Sequence, residues 1–407
     1  MGEHAVPTDV TEIVQYPIER YDDLTIPAFY REFQQGLPFK VQLPFGEPIW
    51  LATRYEDVKF AYGDKRFGKQ LGVGRDSPRM YEVKIDDPDL IANMDPPRLT
   101  RVRRLALTVF GAPQVRDMHD WVNQLVDRFL DRFEAQGSGA DFVELVSWDV
   151  PLRVLTRILG VAEDDIPSFR HWVDTVTGAD CTMEERGAAY HRILEYIGGL
   201  IATRREQPAD DLLSVLVHAR DDEGTLTEAE LVNLSLTLFL GGFETTAAQI
   251  GSTVYTLMAR RELWQELLGD RELVPEALEE LWRWIPSFRF GSPMIRWASE
   301  DVELPSGRVI PAGEPVLGEH QVANRDESVF ANGWEIDFHR KEPQPHLSLA
   351  WGAHRCLGAH LAHLEIEVMV EKLLDRFPTL DLAVAPEDVE WSTRTFLRSP
   401  AALPVTW

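Results

Sequence analysis

This 407-residue chain has only two cysteines and seven lysines. Cys181 and Cys356 alone give no material for a disulfide framework or a four-cysteine metal centre, and so few thiols fit a reducing compartment. Positive charge is also scarce. Lys and Arg number 41 against 67 Asp and Glu, a net charge of −26, which argues against nucleic acid or an anionic membrane surface as partner. No apolar run approaches the roughly 20 residues that span a bilayer. Residues 1–20 lack the basic-then-apolar layout of a secretory signal. A cytoplasmic protein without a membrane anchor is therefore expected. There is no Pro/Gly/Ser-rich linker, repeat or low-complexity tract. One domain over 1–407 is expected, although the length would allow two or three.

What is present is mostly helical periodicity. Val41–Leu51 reads as a hairpin turning at Pro44-Phe45-Gly46, and Tyr55–Tyr62 as a short helix. From Pro97 onward helices dominate. Met118, Val122, Leu125, Val126 and Phe129 recur at spacings of three and four within a helix over Val115–Glu134. Tyr190–Arg204 and Leu212–Arg220 follow the same period. Thr227 and Glu230 form a capping box that opens one long helix running to Met258, roughly 50 Å at 1.5 Å per residue. Pro275 suits the first turn of another helix. Val302–Ile310 reads as a hairpin, and the tail over Val389–Trp407 as two short strands around Phe396. The fold class is mainly α with small β-sheets.

Three constellations carry chemistry. Cys356 lies in a glycine-flanked loop, Gly352-Ala353-His354-Arg355-Cys356-Leu357-Gly358. Backbone N–H groups at a helix start would make its thiolate available to a metal. The plain alternative is a small buried hydrophobe. A zinc site from Cys356, His360 and His363 requires a helix starting at Cys356, and it lacks a fourth ligand. Glu244-Thr245 follows Gly241-Gly242 inside the long apolar helix. A buried carboxylate without a role is costly, and each glycine weakens a helix by about 1 kcal/mol while clearing space beside the backbone. Glu280 and Arg283, three apart, can pair on one helix face.

Taken in order, these segments resemble the cytochrome P450 family. The family's Phe-x-x-Gly-x-x-x-Cys-x-Gly reads here as Leu349, Gly352, Cys356 and Gly358, with leucine in place of the aromatic. His354 and Leu361-Ala362 also match bacterial members. Gly241-Gly242-Phe243-Glu244-Thr245-Thr246, the Glu280-x-x-Arg283 pair, Arg296-Trp297, Asn324-Arg325-Asp326 and Asp337-Phe338-His339-Arg340 match further family motifs. The resemblance covers roughly 27–407. It implies the cytochrome P450 fold, with a long central helix over the haem. An N-terminal part would hold a small sheet and a mobile substrate lid at about 72–94. A helical haem-binding core at about 97–380 and a C-terminal β-hairpin at about 389–407 would follow.

The resemblance implies haem b with Cys356 as axial ligand of its iron. Leu349, Ala350, Gly358, Ala362, Gly241 and Gly242 would line the haem, and Arg103, Arg296 and His354 would hold its propionates. The family's usual propionate-binding histidine is replaced by Leu99. Glu244 and Thr245 would deliver protons during dioxygen chemistry. Glu280, Arg283 and Arg340 would form a structural cluster behind the ligand loop. Leu240, Phe288, Arg289, Phe290, Phe396 and Leu397 would face substrate. The expected activity is a monooxygenase inserting one atom of O2 into a mid-sized organic natural product. Electrons would come from a ferredoxin and its NAD(P)H-dependent reductase, docked on a basic face of Arg98, Arg101, Arg104 and Arg355. A monomer is expected. Oxidative aromatic coupling or desaturation at the same haem is the alternative outcome, and a haem-binding sensor without turnover is a remoter one.

Overall fold

The computed structural model describes residues 13–18, 21–80, 82, 86–178, 181–222, 224–289, 294–341 and 344–407. The chain divides into two compact units, Met1–Thr100 with Glu279–Cys356, and Arg101–Leu278 with Leu357–Trp407.

The first unit is built on a six-stranded sheet in the order β1-β2-β3-β8-β5-β4. Its strands are β1 (Ile13–Gln15), β2 (Phe39–Gln42), β3 (Ile49–Ala52), β4 (Phe67–Gly68), β5 (Ile295–Ala298) and β8 (Pro315–Gly318). The expected hairpin is present, with Val41 opposite Ile49. β3 and β8 are buried along their whole length, because the sheet packs on both faces. One face meets Tyr55, Val58 and Tyr62 of the Tyr55–Gly63 helix, together with Phe330, Leu347 and Ala350. The other, carrying Phe39, Val41 and Leu317, meets Tyr30 and Phe33. Strands β6 (Val302–Glu303) and β7 (Val309–Ile310) form the second expected hairpin, turning through Gly307 at φ +92°.

The second unit is helical. Helices Arg98–Phe110 (from Arg101), His119–Gln136, Ile166–Thr177, Met183–Glu206, Leu212–Asp221, Glu228–Gly241, Glu244–Ala259 and Ala359–Arg376 dominate it. Three sequence expectations shift here. The Val115–Glu134 helix is interrupted at Met118, between Ala112–Asp117 and His119–Gln136. Met118 keeps a right-handed helical conformation, so the apolar spacing continues across the break and periodicity cannot reveal it. The long helix also breaks, after Gly241. Gly242 has no room for a side chain, since a Cβ would lie 2.7 Å from the Leu238 carbonyl and 2.8 Å from Leu155 Cδ1. Thr245 Oγ1 donates to the Gly241 carbonyl at 3.1 Å, a side-chain bond at the site of the break. The tail, finally, pairs around Phe396 as expected but only briefly, and its end pairs elsewhere. Trp391 and Pro400 form an antiparallel bridge, with the Ser392 amide donating to the Ser399 carbonyl at 2.9 Å and the Ala401 amide to that of Glu390 at 2.7 Å, while β10 (Val405–Thr406) pairs with β9 (Asp381–Leu382). Pro400 and Pro404 carry no N–H for a longer ladder.

Across Glu228–Ala259 the chain is apolar and long enough to cross a membrane by composition, yet most of its most apolar window is buried inside the protein.

One glycine tests how the Cys356 loop is seated. Gly352 sits at φ +70°, and a Cβ there would lie 2.6 Å from the Tyr62 carbonyl oxygen. Gly352→Ala is expected to cost at least about 2 kcal/mol through left-handed strain and this backbone clash. Gly187→Ala is the control: its Cβ meets nothing within 4 Å on a helix, so it should be neutral or stabilising by up to about 1 kcal/mol. Thermal melts of both variants check this, and an unchanged Gly352→Ala midpoint would contradict the seating.

Candidate functional site

Helix Val274–Trp284 carries Glu280 and Arg283, both 3% exposed as side chains. Arg283 donates Nε and Nη2 to the two Glu280 oxygens, each at 2.7 Å. Arg340 Nε lies 3.1 Å from both oxygens, and the Asp337 amide donates to Oε1 at 2.9 Å. The remaining Arg283 donors reach the carbonyls of Asn324 and Gly333 at 2.6 Å and of Glu335 at 2.8 Å. The Asn324 side chain continues this scaffold. Its Oδ1 accepts from the Leu347 amide at 2.7 Å, and its Nδ2 donates to Ser348 Oγ at 2.8 Å. The sequence presented Asn324 as part of a motif, without showing that it joins this cluster to the cysteine loop.

The loop closes on itself. The Cys356 amide donates to the Leu349 carbonyl at 2.8 Å, and the Arg355 amide to Gly352 at 3.1 Å. Ala350 adopts φ +58°, rare for a residue with a Cβ, and its side chain is packed in the core. Cys356 is exposed. It does not open a helix. The next helix starts at Ala359, so the helical spacing required to set Cys356 and His360 on one face does not apply. His363 Nδ1 lies 2.7 Å from the carbonyl of Ala359 on its own helix. Leu349 and Gly358 are half-buried and Ala362 is buried.

In the same unit a basic centre forms. Arg296 is 1% exposed. Its Nη1 donates to the Ile295 carbonyl at 3.0 Å and its guanidinium sits 5.0 Å from the Tyr62 ring centroid. Its Nε and Nη2 have no hydrogen-bond partner among the described residues. Burial lowers its pKa, and a buried guanidinium with two unused donors is costly unless an anion meets it. His354 Nε2 lies 3.7 Å from Asp95 Oδ1, beyond hydrogen-bond reach. Burial pushes the His354 imidazole down to about 4, with Asp95 opposing and Arg296 and Lys69 assisting. An exposed thiol on a closed loop and a buried arginine with two unused donors fit a haem, which needs an axial sulfur and partners for two carboxylates.

The second unit bears the acid–alcohol pair. Glu244 is 2% exposed and accepts a hydrogen bond from Thr177 Oγ1 at 2.7 Å. Burial raises its pKa to about 7, Thr177 opposes the rise, and Asp174 adds to it. Thr245 next to it is exposed, as is Gly241, while Gly242 is half-buried. Thr177 is 67 residues away in sequence, and no local motif announces it.

Other expected residues scatter. Arg103 is half-buried on Arg98–Phe110. The Arg289 guanidinium is taken up by Asp22, with Nε donating to Oδ1 at 2.9 Å, so its charge is committed to the protein. Phe288 is half-buried, its amide donating to Gln321 at 2.7 Å. Phe290 lies outside the described residues. Leu240 and Phe396 are half-buried, whereas Leu397 is 1% exposed and belongs to the core. The basic face also shrinks. Arg98 pairs with Asp89, and Arg101 pairs with Glu230 at 2.5 and 3.0 Å, because Glu230 is the buried acid of the Thr227 capping box. Arg104 and Arg355 are the exposed ones.

The profile of the cytochrome P450 family matches residues 182–403. The chain belongs to this family. It is 39% identical over 394 residues to mycinamicin IV hydroxylase/epoxidase of Micromonospora griseorubida, covering 96% of this chain and 98% of that protein. It is 42% identical over 399 residues to nocardicin C N-oxygenase of Nocardia uniformis subsp. tsuyamanensis, covering 98% and 99%. The crystal structure of cytochrome P450mel 107F1, with biaryl coupling reactivity, superposes with TM-score 0.92 at 38% identity, over 97% of this chain and 100% of that one. The protein is thus a P450 monooxygenase that uses haem iron, O2, a redox partner and a small-molecule substrate.

Glu244 makes a prediction about pH. Its carboxyl is neutral in the folded protein up to about pH 7 but ionises near the usual 4.5 when unfolded. The folded state therefore holds the extra proton between those values. Its contribution to stability is full below pH 4.5, falls as pH rises, and is gone above 7. Glu244→Gln carries no such term. Relative to wild type, the variant should gain of order 2–3 kcal/mol between pH 4.5 and pH 8. Melting temperatures of both proteins across that range check it; a constant difference would contradict the buried acid.

Proposed function

We propose that this P450 is a cytoplasmic haem b monooxygenase of secondary metabolism, a single catalytic domain over 1–407, that oxygenates a mid-sized natural product. The observation that carries it is the Glu244 carboxyl, buried and poised to exchange a proton near pH 7, beside the exposed Thr245 hydroxyl. A hydroxylation needs protons delivered with the electrons, and an acid whose pKa matches the working pH serves that transfer best.

Cys356 would ligate the iron, with Arg296 and His354, and Arg103 by resemblance, facing the propionates. When bound, a thiolate-ligated haem supplies the site at which dioxygen is activated. Glu244 takes a proton at its carboxylate, with Thr177 Oγ1 fixing the orientation of one oxygen, and Thr245 Oγ1 passes it onward. Phe239, Phe243 and Ala248 are buried around this turn and shield the Glu244 side of the pair, while Thr245 is exposed. Leu240, Phe288 and Phe396 offer apolar surface to substrate. Electrons would come from an acidic ferredoxin, itself reduced by an NAD(P)H-dependent reductase. Arg355, next to Cys356 in sequence, is the exposed cation presented to it.

A second reading has one observation behind it: the structural neighbour P450mel is described by biaryl coupling. Coupling two aromatic rings leaves no atom of O2 in the product. Turnover under heavy-isotope dioxygen separates the two, since oxygenation places one labelled atom in the product and coupling none. Thr245→Ala should divert most electrons from product to hydrogen peroxide, lowering coupling by on the order of tenfold. Peroxide assay against NAD(P)H consumption checks this, and undiminished coupling would remove the proton role of Thr245.

A further inference from the structure

The family's propionate-binding histidine is absent, and Leu99 in its place is fully buried and offers no side-chain donor. A different cation stands nearby within the same unit. Lys69 follows β4, whose Gly68 pairs with Trp297 of β5 and whose Phe67 pairs with Ala298. Carrying that antiparallel register one residue further sets Lys69 opposite Arg296. The backbone here is clamped. The Lys69 amide lies 2.9 and 3.0 Å from the two Asp95 oxygens, and the Gln70 amide donates to Oδ2 at 2.9 Å. Gly68 is required at this approach, because a Cβ would strike Asp95 Oδ2. The same carboxylate faces His354. Asp95 therefore gathers the Lys69 backbone and His354 beside Arg296.

Two cationic side chain types, Arg296 and Lys69, face one carboxylate here, that of Asp95. Among the described residues the Lys69 ammonium makes no hydrogen bond or ion pair, whereas Lys40 and Lys372 meet Glu314 and Asp127. Burial, then repulsion from Arg296, pushes the Lys69 ammonium down to about 7 against the pull of Asp95. Such a group asks for an anion. Lys69 is half-buried and stands across the strand pair from a fully buried arginine.

We propose that Lys69 binds a haem propionate together with Arg296, supplying the donor that Leu99 lacks. This rests on the haem-thiolate reading above. The ion pair would slow haem loss and, as a positive charge near the porphyrin, raise the reduction potential of the iron.

The test uses purified holoenzyme as wild type, Lys69→Met and Lys69→Arg. Haem transfer to an excess of an apo-haem-protein acceptor is followed by absorbance, with the reduced–CO spectrum recorded for each protein beforehand. Lys69→Met should lose haem roughly tenfold faster, the equivalent of about 1.4 kcal/mol, and show a lower reduction potential. Lys69→Arg, which keeps the charge, should stay within about twofold of wild type. Equal loss rates for Lys69→Met and wild type would overturn the proposal. So would equal, fast loss from both variants, which would assign the effect to packing. Failure of wild type to show a thiolate spectrum would instead strike the haem reading itself.

Discussion

The Glu280 carboxylate is the constraint on which the cysteine loop depends. A carboxylate this deeply buried would be costly if left half-satisfied, but here two Arg283 donors, the Arg340 Nε and the Asp337 amide surround it. The pairing does more than neutralise charge. Arg283 spends its other donors on the backbone of Asn324, Gly333 and Glu335, and Asn324 then fixes Leu347 and Ser348. From there the chain enters the turn that Gly352 makes possible and returns to Leu349 through the Cys356 amide. The position of one exposed sulfur is thus the last link of a buried ionic network, and exposure costs it no rigidity.

Two further buried ionisable groups stand out from the packing around them. Arg296 is buried with unused donors, and Glu244 is buried with a pKa near 7. Neither is how a stable apolar core would be built. Arg296 lies in the unit that bears Cys356 and fits an anionic partner there. Glu244 lies in the unit that bears the broken helix, where its shifted pKa suits proton transfer. The helix break has the same character. Gly242 must be glycine because Leu155 and the Leu238 carbonyl crowd it, and Thr245 bonds back to Gly241. The result is a local departure from regular helix beside the acid–alcohol pair.

Much of this was legible in the sequence. The lone Cys356, the Glu280-x-x-Arg283 spacing and the Gly-Gly-x-Glu-Thr run each state a local geometry, and their order pointed to the family. The capping box at Thr227 was readable for the same reason. What escaped depends on distance along the chain. Thr177 meets Glu244 across 67 residues, and Arg289 meets Asp22 across 267, which removed a supposed pocket cation. Arg101 read as part of a basic face because Glu230, its partner, lay 129 residues on. Helix breaks at Met118 and Gly242 preserve or nearly preserve the apolar period, so pattern alone ran through them. The β9–β10 pairing was missed because two-residue strands leave almost no alternation to read.

The central claim is that Cys356, as thiolate, ligates haem iron. The most direct measurement is the absorbance of the reduced protein under carbon monoxide, for wild type and for Cys356→His. Ligation by Cys356 predicts the strongly red-shifted Soret band of a thiolate in wild type and its loss in the variant. A wild-type spectrum of the histidine-ligated kind, or a red-shifted band that survives in Cys356→His, would contradict it.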